Sequence, residues 1–328
     1  MKMIKIILSF FLLLFTSCKL PNSDVCLVPT NFAMIAAGYS HSLILGKDGT
    51  VWATGYNNSG QLGTGNTTGK TTFTKVDDNV KMIAAGRDHS LILKNDGTVW
   101  AAGANISGQL GTGNTTGKTT FTKVDDNVKM IAAGWYHSLI LKNDGTVWAT
   151  GDNSSGQLGA GDITATSKFI KLASDVKMIA AGNNHSLILK NDGTVWATGA
   201  NNLGQLGLGN SDTNPHPNFT QVASNVKMIA AGGDSSLILK NDGTVWAAGY
   251  NNYGKLGLGN SDTNPHPNFT QVASNVKMID MGDWHSLIIK NDGTVWAAGY
   301  NGDGQLGTGD TTNITRFTKV DIKTFSCK

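Results

Sequence analysis

From about residue 32 onward the chain alternates short apolar runs with polar, glycine-rich turns, and the same order returns six times. The stretch "HSLILKNDGTVWAAG" at residues 89–103 shows the grammar. His-Ser-Leu-Ile-Leu is an aliphatic run of strand length. Lys-Asn-Asp-Gly is turn chemistry, because Asp-Gly supplies the positive φ values of a tight hairpin, and Thr-Val-Trp-Ala-Ala-Gly returns as the partner strand. "NVKMIAAG" predicts a third strand and "FTKV" or "FTQV" a fourth. Helical spacing never persists beyond one turn outside the first residues of the chain.

The repeats are nearly copies of one another. Trp52, Trp100, Trp148, Trp196, Trp246 and Trp296 are spaced by 48, 48, 48, 50 and 50 residues. His41, His89, His137, His185, Ser235 and His285 keep the same interval, with serine in the fifth place. Residues 63–86 recur verbatim as 111–134, and 207–229 as 257–279. Four short strands at a period near fifty residues describe propeller blades, and the indole of each unit is expected to pack between neighbouring blades.

The pattern AAGxxHSLILKNDGTVWAxGxNxxGQLGxG resembles the repeat of the regulator of chromosome condensation family, over about residues 33 to 320. That resemblance implies a β-propeller, most often of seven blades. Six complete units point to six blades, with seven as the alternative. "VCLVPTNFAMIAAG" (25–38) aligns with "FTKVDDNVKMIAAG" (73–86), and the chain finishes on "FTKVDIKTFSCK". The first and last strands are therefore expected to share one blade and close the ring. The family name also implies guanine-nucleotide exchange for its eukaryotic founder. An exported chain, in which no repeat carries a wedge-like insertion, argues against that activity here.

Residues 1–17 read as a signal peptide. Lys2 and Lys5 precede an apolar run, Ile6 to Phe15, too short to span a bilayer. Phe15-Thr16-Ser17-Cys18 then resembles a bacterial lipobox, with phenylalanine where leucine is usual, and makes Cys18 the expected lipidation site. An ordinary secretory cleavage nearby is the alternative. Residues 18–24 would be the lipidated tether, 25–328 the propeller, and the bacterial cell envelope the destination. Cys26 and Cys327 flank everything that folds, so export permits a disulfide between them.

Without Lys2 and Lys5 the formal charge falls from +3 to +1, and only Arg87 and Arg316 are arginines. A clustered basic face with arginine forks is missing, which argues against nucleic acid. The histidine series does not converge as metal or acid–base groups must, and reads as hydrogen-bonding struts. "GTGNTTGKTT" (63–72) imitates a phosphate loop with the wrong glycine spacing and no following helix. The Asn-Asp-Gly turns lack the ligand ladder of a calcium loop. Catalytic residues, metals and cofactors are thus not expected.

What varies between copies is informative. Two residues before each His-Ser (or Ser-Ser) change every time: Tyr39-Ser40, Arg87-Asp88, Trp135-Tyr136, Asn183-Asn184, Gly233-Asp234 and Asp283-Trp284. A second variable set, around the Asn that precedes Gly-Gln-Leu-Gly, contains Tyr56, Tyr250, Tyr253 and Tyr300. All six tyrosines and the two tryptophans outside the repeat frame fall in these sets. Tyr and Trp among Asn, Ser, Gly and Asp form the palette of a binding surface, rigid contact area beside adaptable hydrogen bonding. Tyr39, Arg87, Trp135, Tyr136, Trp284, Tyr56, Tyr250, Tyr253 and Tyr300 are therefore the candidate contact residues. The expected function is a non-enzymatic, monomeric, membrane-anchored scaffold for a protein or glycan partner. Inhibition of an envelope or extracellular enzyme, and a structural envelope role, are the rivals.

Overall fold

The computed structural model describes residues 32–320. Among them the chain forms a six-bladed β-propeller in which every blade is a four-stranded antiparallel sheet of consecutive strands. Blade 1 comprises Phe32–Ala37, His41–Gly46, Val51–Gly55 and Lys70–Asp77. Blade 2 comprises Val80–Ala85, His89–Lys94, Val99–Gly103 and Lys118–Asp125. Blades 3 to 6 repeat the plan, opening at Val128, Val176, Val226 and Val276. A single 3-10 turn, Asn252–Gly254, interrupts it among the described residues. The strands predicted from the repeat are all present, and blade 1 begins partway through it, as the alignment of residues 25–38 implies.

Each phrase of the repeat has a mechanical role. In blade 3, Asp144 accepts from the backbone N–H and hydroxyl of Thr146 (2.9 and 2.7 Å) and closes the hairpin. Thr146 in turn accepts the indole N–H of Trp148 at 2.9 Å. The Lys142 ammonium lies 4.6 Å from the centre of that indole. The tryptophan is thus held at its ring N–H and over its ring, and "KNDGTVW" is the string that does it. The turn aspartates, which the sequence could suggest as calcium ligands, are hairpin caps, and their hydroxyl and amide donors lower their pKa values.

The apolar core lies between blades. Leu91, Leu93, Val99 and Leu110 of blade 2 pack with Val128, Ile131 and Ile140 of blade 3, and Trp148 and Phe169 close the layer. Equivalent layers join blades 1 and 2, 3 and 4, 4 and 5, and 5 and 6. At each of these hand-overs one residue, Asn79, Asn127, Asp175, Asn225 or Asn275, takes φ of 58–60° and turns the chain from an outer strand into the next inner one. Asn and Asp tolerate this left-handed region better than other side chains do.

One expectation is corrected. The first and last described strands do not share a blade: Phe32–Ala37 pairs within blade 1 and Ile314–Val320 within blade 6. The blade boundary falls at the positive-φ residue after each outer strand, so a complete outer strand already belongs to blade 6. Cys18, Cys26 and Cys327 lie outside the described residues, as do the signal and tether boundaries.

Candidate functional site

The repeated histidines are struts between blades. The Nε2 atoms of His41, His89, His137 and His185 lie 2.8–3.0 Å from the hydroxyls of Ser90, Ser138, Ser186 and Ser236 in the following blade. Each serine donates onward to a carbonyl of the preceding blade, at Gln61, Gln109, Gln157 and Gln205, over 2.7 Å. A serine that donates to a carbonyl must accept from the imidazole, so Nε2 carries a proton, while Nδ1 is buried without a partner. Burial keeps the rings neutral: it pushes His41 and His137 down to about 4 and His89 and His185 down to about 3. These are poor acid–base catalysts at neutral pH.

The two residues before each strut open into the axial mouth on one face. The ends of all six inner strands line a cavity there of about 260 Å³, with Tyr39, Arg87, Trp135, Asn183, Asp283 and Trp284 in its wall. Four predicted contact residues converge on one side. The Arg87 guanidinium lies 5.1–5.4 Å from the ring centres of Tyr39, Trp135 and Tyr136 and donates to the Tyr136 hydroxyl. Asp88 sits 3.6 Å from its Nε. The Tyr39 and Tyr136 rings both meet the Trp135 indole edge to face, at 6.3 and 6.5 Å. The Trp135 N–H is buried without a hydrogen-bond partner, a donor facing no acceptor.

A second aromatic group stands on blades 5 and 6. Tyr253 lies 5.5 Å from Trp284 and 4.8 Å from Tyr300, and Trp284 lies 6.5 Å from Tyr300. Here the two variable sets of the sequence merge, because Trp284 belongs to the first and the tyrosines to the second. Trp284 is 45% exposed. Tyr56, 46% exposed, joins neither group, and Tyr250 contributes its carbonyl to the Ser235 hydroxyl.

Sequence reasoning missed what builds this second group. In five blades the glutamine of Gly-Gln-Leu-Gly accepts the backbone N–H two residues before it, as Gln61 does from Ser59 and Gln305 from Asp303. Blade 5 carries Lys255 instead, and Tyr253, freed from that bond, donates to Asn252 and turns to φ 60° beside Trp284. The same blade has Ser235 in place of the strut histidine. Ser235 alone reads as tolerance; paired with the Gln-to-Lys change it marks a rebuilt corner. Lys255 is 3% exposed and donates to the Asp283 carbonyl at 2.9 Å, while the Asp283 carboxylate accepts from Gly233 N–H at 3.0 Å. Burial lowers Lys255 to about 8 against the pull of Asp234 and Asp283, and burial raises Asp234. Restoring both repeat residues, Ser235→His with Lys255→Gln, should return the loop to the shape of the other blades. The expected result is loss of the Tyr253–Trp284 cross-peak in an NOE spectrum, with the fold kept.

Among the described residues no three His, Cys, Asp or Glu side chains gather as metal ligands do, and no helix is long and apolar enough to cross a membrane. The glycine-rich "GTGNTTGKTT" is a surface turn leading into the outer strand of blade 1.

The profile of the RCC1-like domain family matches residues 16–328. Curated protein sequences give no match. The chain is similar in structure to human WBSCR16, at 24% identity and a TM-score of 0.79, over 89% of this chain and 82% of that one. It is also similar to yeast RCC1 (Prp20) solved with Kap60, at 24% identity and 0.80, over 91% and 77%. A second structure of Prp20p from Saccharomyces cerevisiae, whose binding to Gsp1p and histones was studied alongside it, gives 24% and 0.78, over 91% and 79%. At these identities the likeness to the solved structures speaks for the fold.

Proposed function

This chain belongs to the RCC1-like domain family, and from that premise we propose that it is a non-enzymatic interaction scaffold whose aromatic face holds a protein partner. The observation that carries the reading is the pairing of two aromatic groups, Tyr39–Arg87–Trp135–Tyr136 and Tyr253–Trp284–Tyr300, at one axial mouth. Binding energy concentrates in Trp, Tyr and Arg side chains that sit in partly formed pockets. Struts fix the strand starts that present Tyr39, Arg87 and Trp135, so less freedom is lost on binding there. Such an arrangement suits recognition. The lipobox-like Phe15–Cys18 segment supports display of this face from a lipid-anchored propeller on the bacterial envelope.

The test is a pull-down with residues 19–328, wild type against Trp135→Ala/Tyr136→Ala/Trp284→Ala, each checked for folding by circular dichroism. Envelope extract and extracellular proteins are offered to both, and bound material is identified by mass spectrometry. A partner held by the wild type should lose at least roughly thirtyfold in affinity for each hot-spot residue removed, since such residues contribute about 2 kcal/mol or more. Equal recovery from both baits would leave the structural envelope role as the better reading.

A further inference from the structure

From blade 3 round to blade 6 the polar groups of the mouth satisfy one another. The Trp135 backbone N–H donates to the Asn183 carbonyl at 3.2 Å, Asn183 N–H to the Gly233 carbonyl at 2.8 Å, and Gly233 N–H to the Asp283 carboxylate at 3.0 Å. Lys255 ends this run by donating to the Asp283 carbonyl, its ammonium buried beside Asp234 and Asp283. The carboxylates on that side therefore already face a cation.

On the side built by blades 1 to 3, donors outnumber acceptors. Three rings at 5.1–5.4 Å grip the Arg87 guanidinium, and they hold it without consuming its N–H groups. Nη1 donates to the Tyr136 hydroxyl, and Nε faces the Asp88 carboxylate across 3.6 Å. Among the described residues, Nη2 and the second hydrogen of Nη1 have no acceptor. Together they form an end-on fork that matches the two oxygens of a carboxylate. The side chain is 35% exposed and stands in the cavity wall, so the fork is open to a ligand.

Two neighbouring donors are also unmet. Trp100 and Trp148 donate their indole N–H to a threonine hydroxyl at 2.9 Å, but that of Trp135 is buried with no acceptor. The glutamines of the repeat show the same contrast. Nε2 of Gln61, Gln157 and Gln205 donates to Asp88, Asp152 and Asn202. Gln109 has Tyr136 in the repeat position where Gln61 has Asp88, and its Nε2 is buried without a partner. The Gln109 carbonyl accepts from Ser138, which sets this residue beside the strand start that carries Trp135 and Tyr136. A buried donor left unmet is costly, and both leave the positive end of a dipole uncompensated in the Arg87 corner.

Resting on the scaffold reading, we propose that blades 1 to 3 form a carboxylate-reading subsite, in which Arg87 takes an Asp or Glu side chain from the partner protein. Charge decides the sign, since the unmet donors gather here while the acidic residues opposite have Lys255. A cavity of about 260 Å³ admits a side chain and excludes a folded element. Rings stand on both sides of the fork, Tyr39 of blade 1 at 53% exposed and Trp135 with Tyr136 of blade 3. A segment seated on Arg87 thus continues over aromatic surface in both directions. That suits an acidic residue with apolar neighbours before and after it, whereas a free chain end would cover one side.

The experiment measures binding to the full chain in detergent by fluorescence anisotropy. Three capped, labelled peptides differ only in a central Glu, Gln or Lys between two Phe; a fourth has the Gln and a free C-terminal carboxylate. The Glu peptide should bind at least about tenfold more tightly than the Gln peptide, the margin that a hydrogen bond to a charged group supplies. In Arg87→Met that ratio should fall to near one. Asp88→Asn keeps the arginine and removes the carboxylate that competes for it, so it should tighten the Glu peptide, a gain no misfolded variant can produce. Failure to bind the Glu peptide, or equal affinity for Glu and Gln, overturns the inference; the scaffold reading falls separately, on equal recovery in the pull-down. A Glu preference that survives Arg87→Met or falls in Asp88→Asn also overturns it. So does tighter binding of the Lys peptide, which would assign the mouth to a cation at Asp283, or of the free chain end, which would assign it to a terminal carboxylate.

Discussion

Acidification should unfold this propeller from within, with stability falling steeply as pH drops from about 6.5 towards 4. Four buried imidazoles carry the effect. His41, His89, His137 and His185 are held neutral, pushed down to between about 3 and about 4 by burial. In the unfolded chain each takes up a proton near 6.5. Between those values the unfolded state binds more protons than the native state, so stability is complete above about 6.5 and is lost as pH falls towards the folded values. A shift of that size is worth roughly 3 kcal/mol or more per histidine, and four of them together rival the whole stability of a typical domain, about 5–15 kcal/mol. Protonation also adds an N–H at Nδ1, which in all four rings is buried with no acceptor within reach. His285, at the uncovered end, is lowered in the same direction by burial, against the pull of Asp280 and Asp283. Urea titrations at pH 7.5, 6, 5 and 4.5 check this. A midpoint independent of pH across that span would show that the rings are solvated.

The blades themselves were legible from residues, because each element is specified locally. The Asp-Gly turns, the aliphatic runs and the fifty-residue period identify strand, hairpin and blade without reference to distant contacts. The histidine struts were legible in kind, as hydrogen-bonding posts, but not in direction. Only three dimensions show that His89 reaches into the next blade while Ser138 reaches back to Gln109. The aromatic residues at variable positions were found by what the copies refuse to share. Their division into two groups was not legible, since Tyr39 and Tyr136 are separated by two repeats and meet only through Arg87 and Trp135. Lys255 escaped because one Gln-to-Lys change reads as drift until its partner, Ser235, is seen in the same blade. Alignment gives the phase of the repeat, but phase does not say which blade a strand joins: Phe32–Ala37 and Ile314–Val320 belong to different blades.

Gly103→Ala should be among the most damaging single methyl groups that can be added to the ring. Gly103 ends its strand opposite His89, at φ 115°, and a Cβ there would stand 2.4 Å from the Asp88 carbonyl oxygen and 2.6 Å from the His89 Cα. Both obstacles are backbone, and both belong to the strand start that carries a strut. Relief therefore requires moving the His89–Ser138 bond or the loop that presents Arg87, in a core that is close-packed. A loss of at least about 3 kcal/mol is expected, in the range that overpacking with backbone strain produces. Gly65→Ala separates the two causes. Its φ of 84° is just as unsuited to alanine, but the nearest atom to its Cβ is a Thr120 methyl at 3.7 Å, ordinary contact. That variant should lose only about 1 kcal/mol, the cost of the left-handed backbone alone. Thermal and urea unfolding of the pair measure the difference. Equal losses would mean that the strand start yields to the methyl group, and that the mouth above it is soft enough to be moulded by whatever it binds. A large gap would mean that the face is held in place before any partner arrives, because the glycine lies against the strand start that carries the strut beside Arg87.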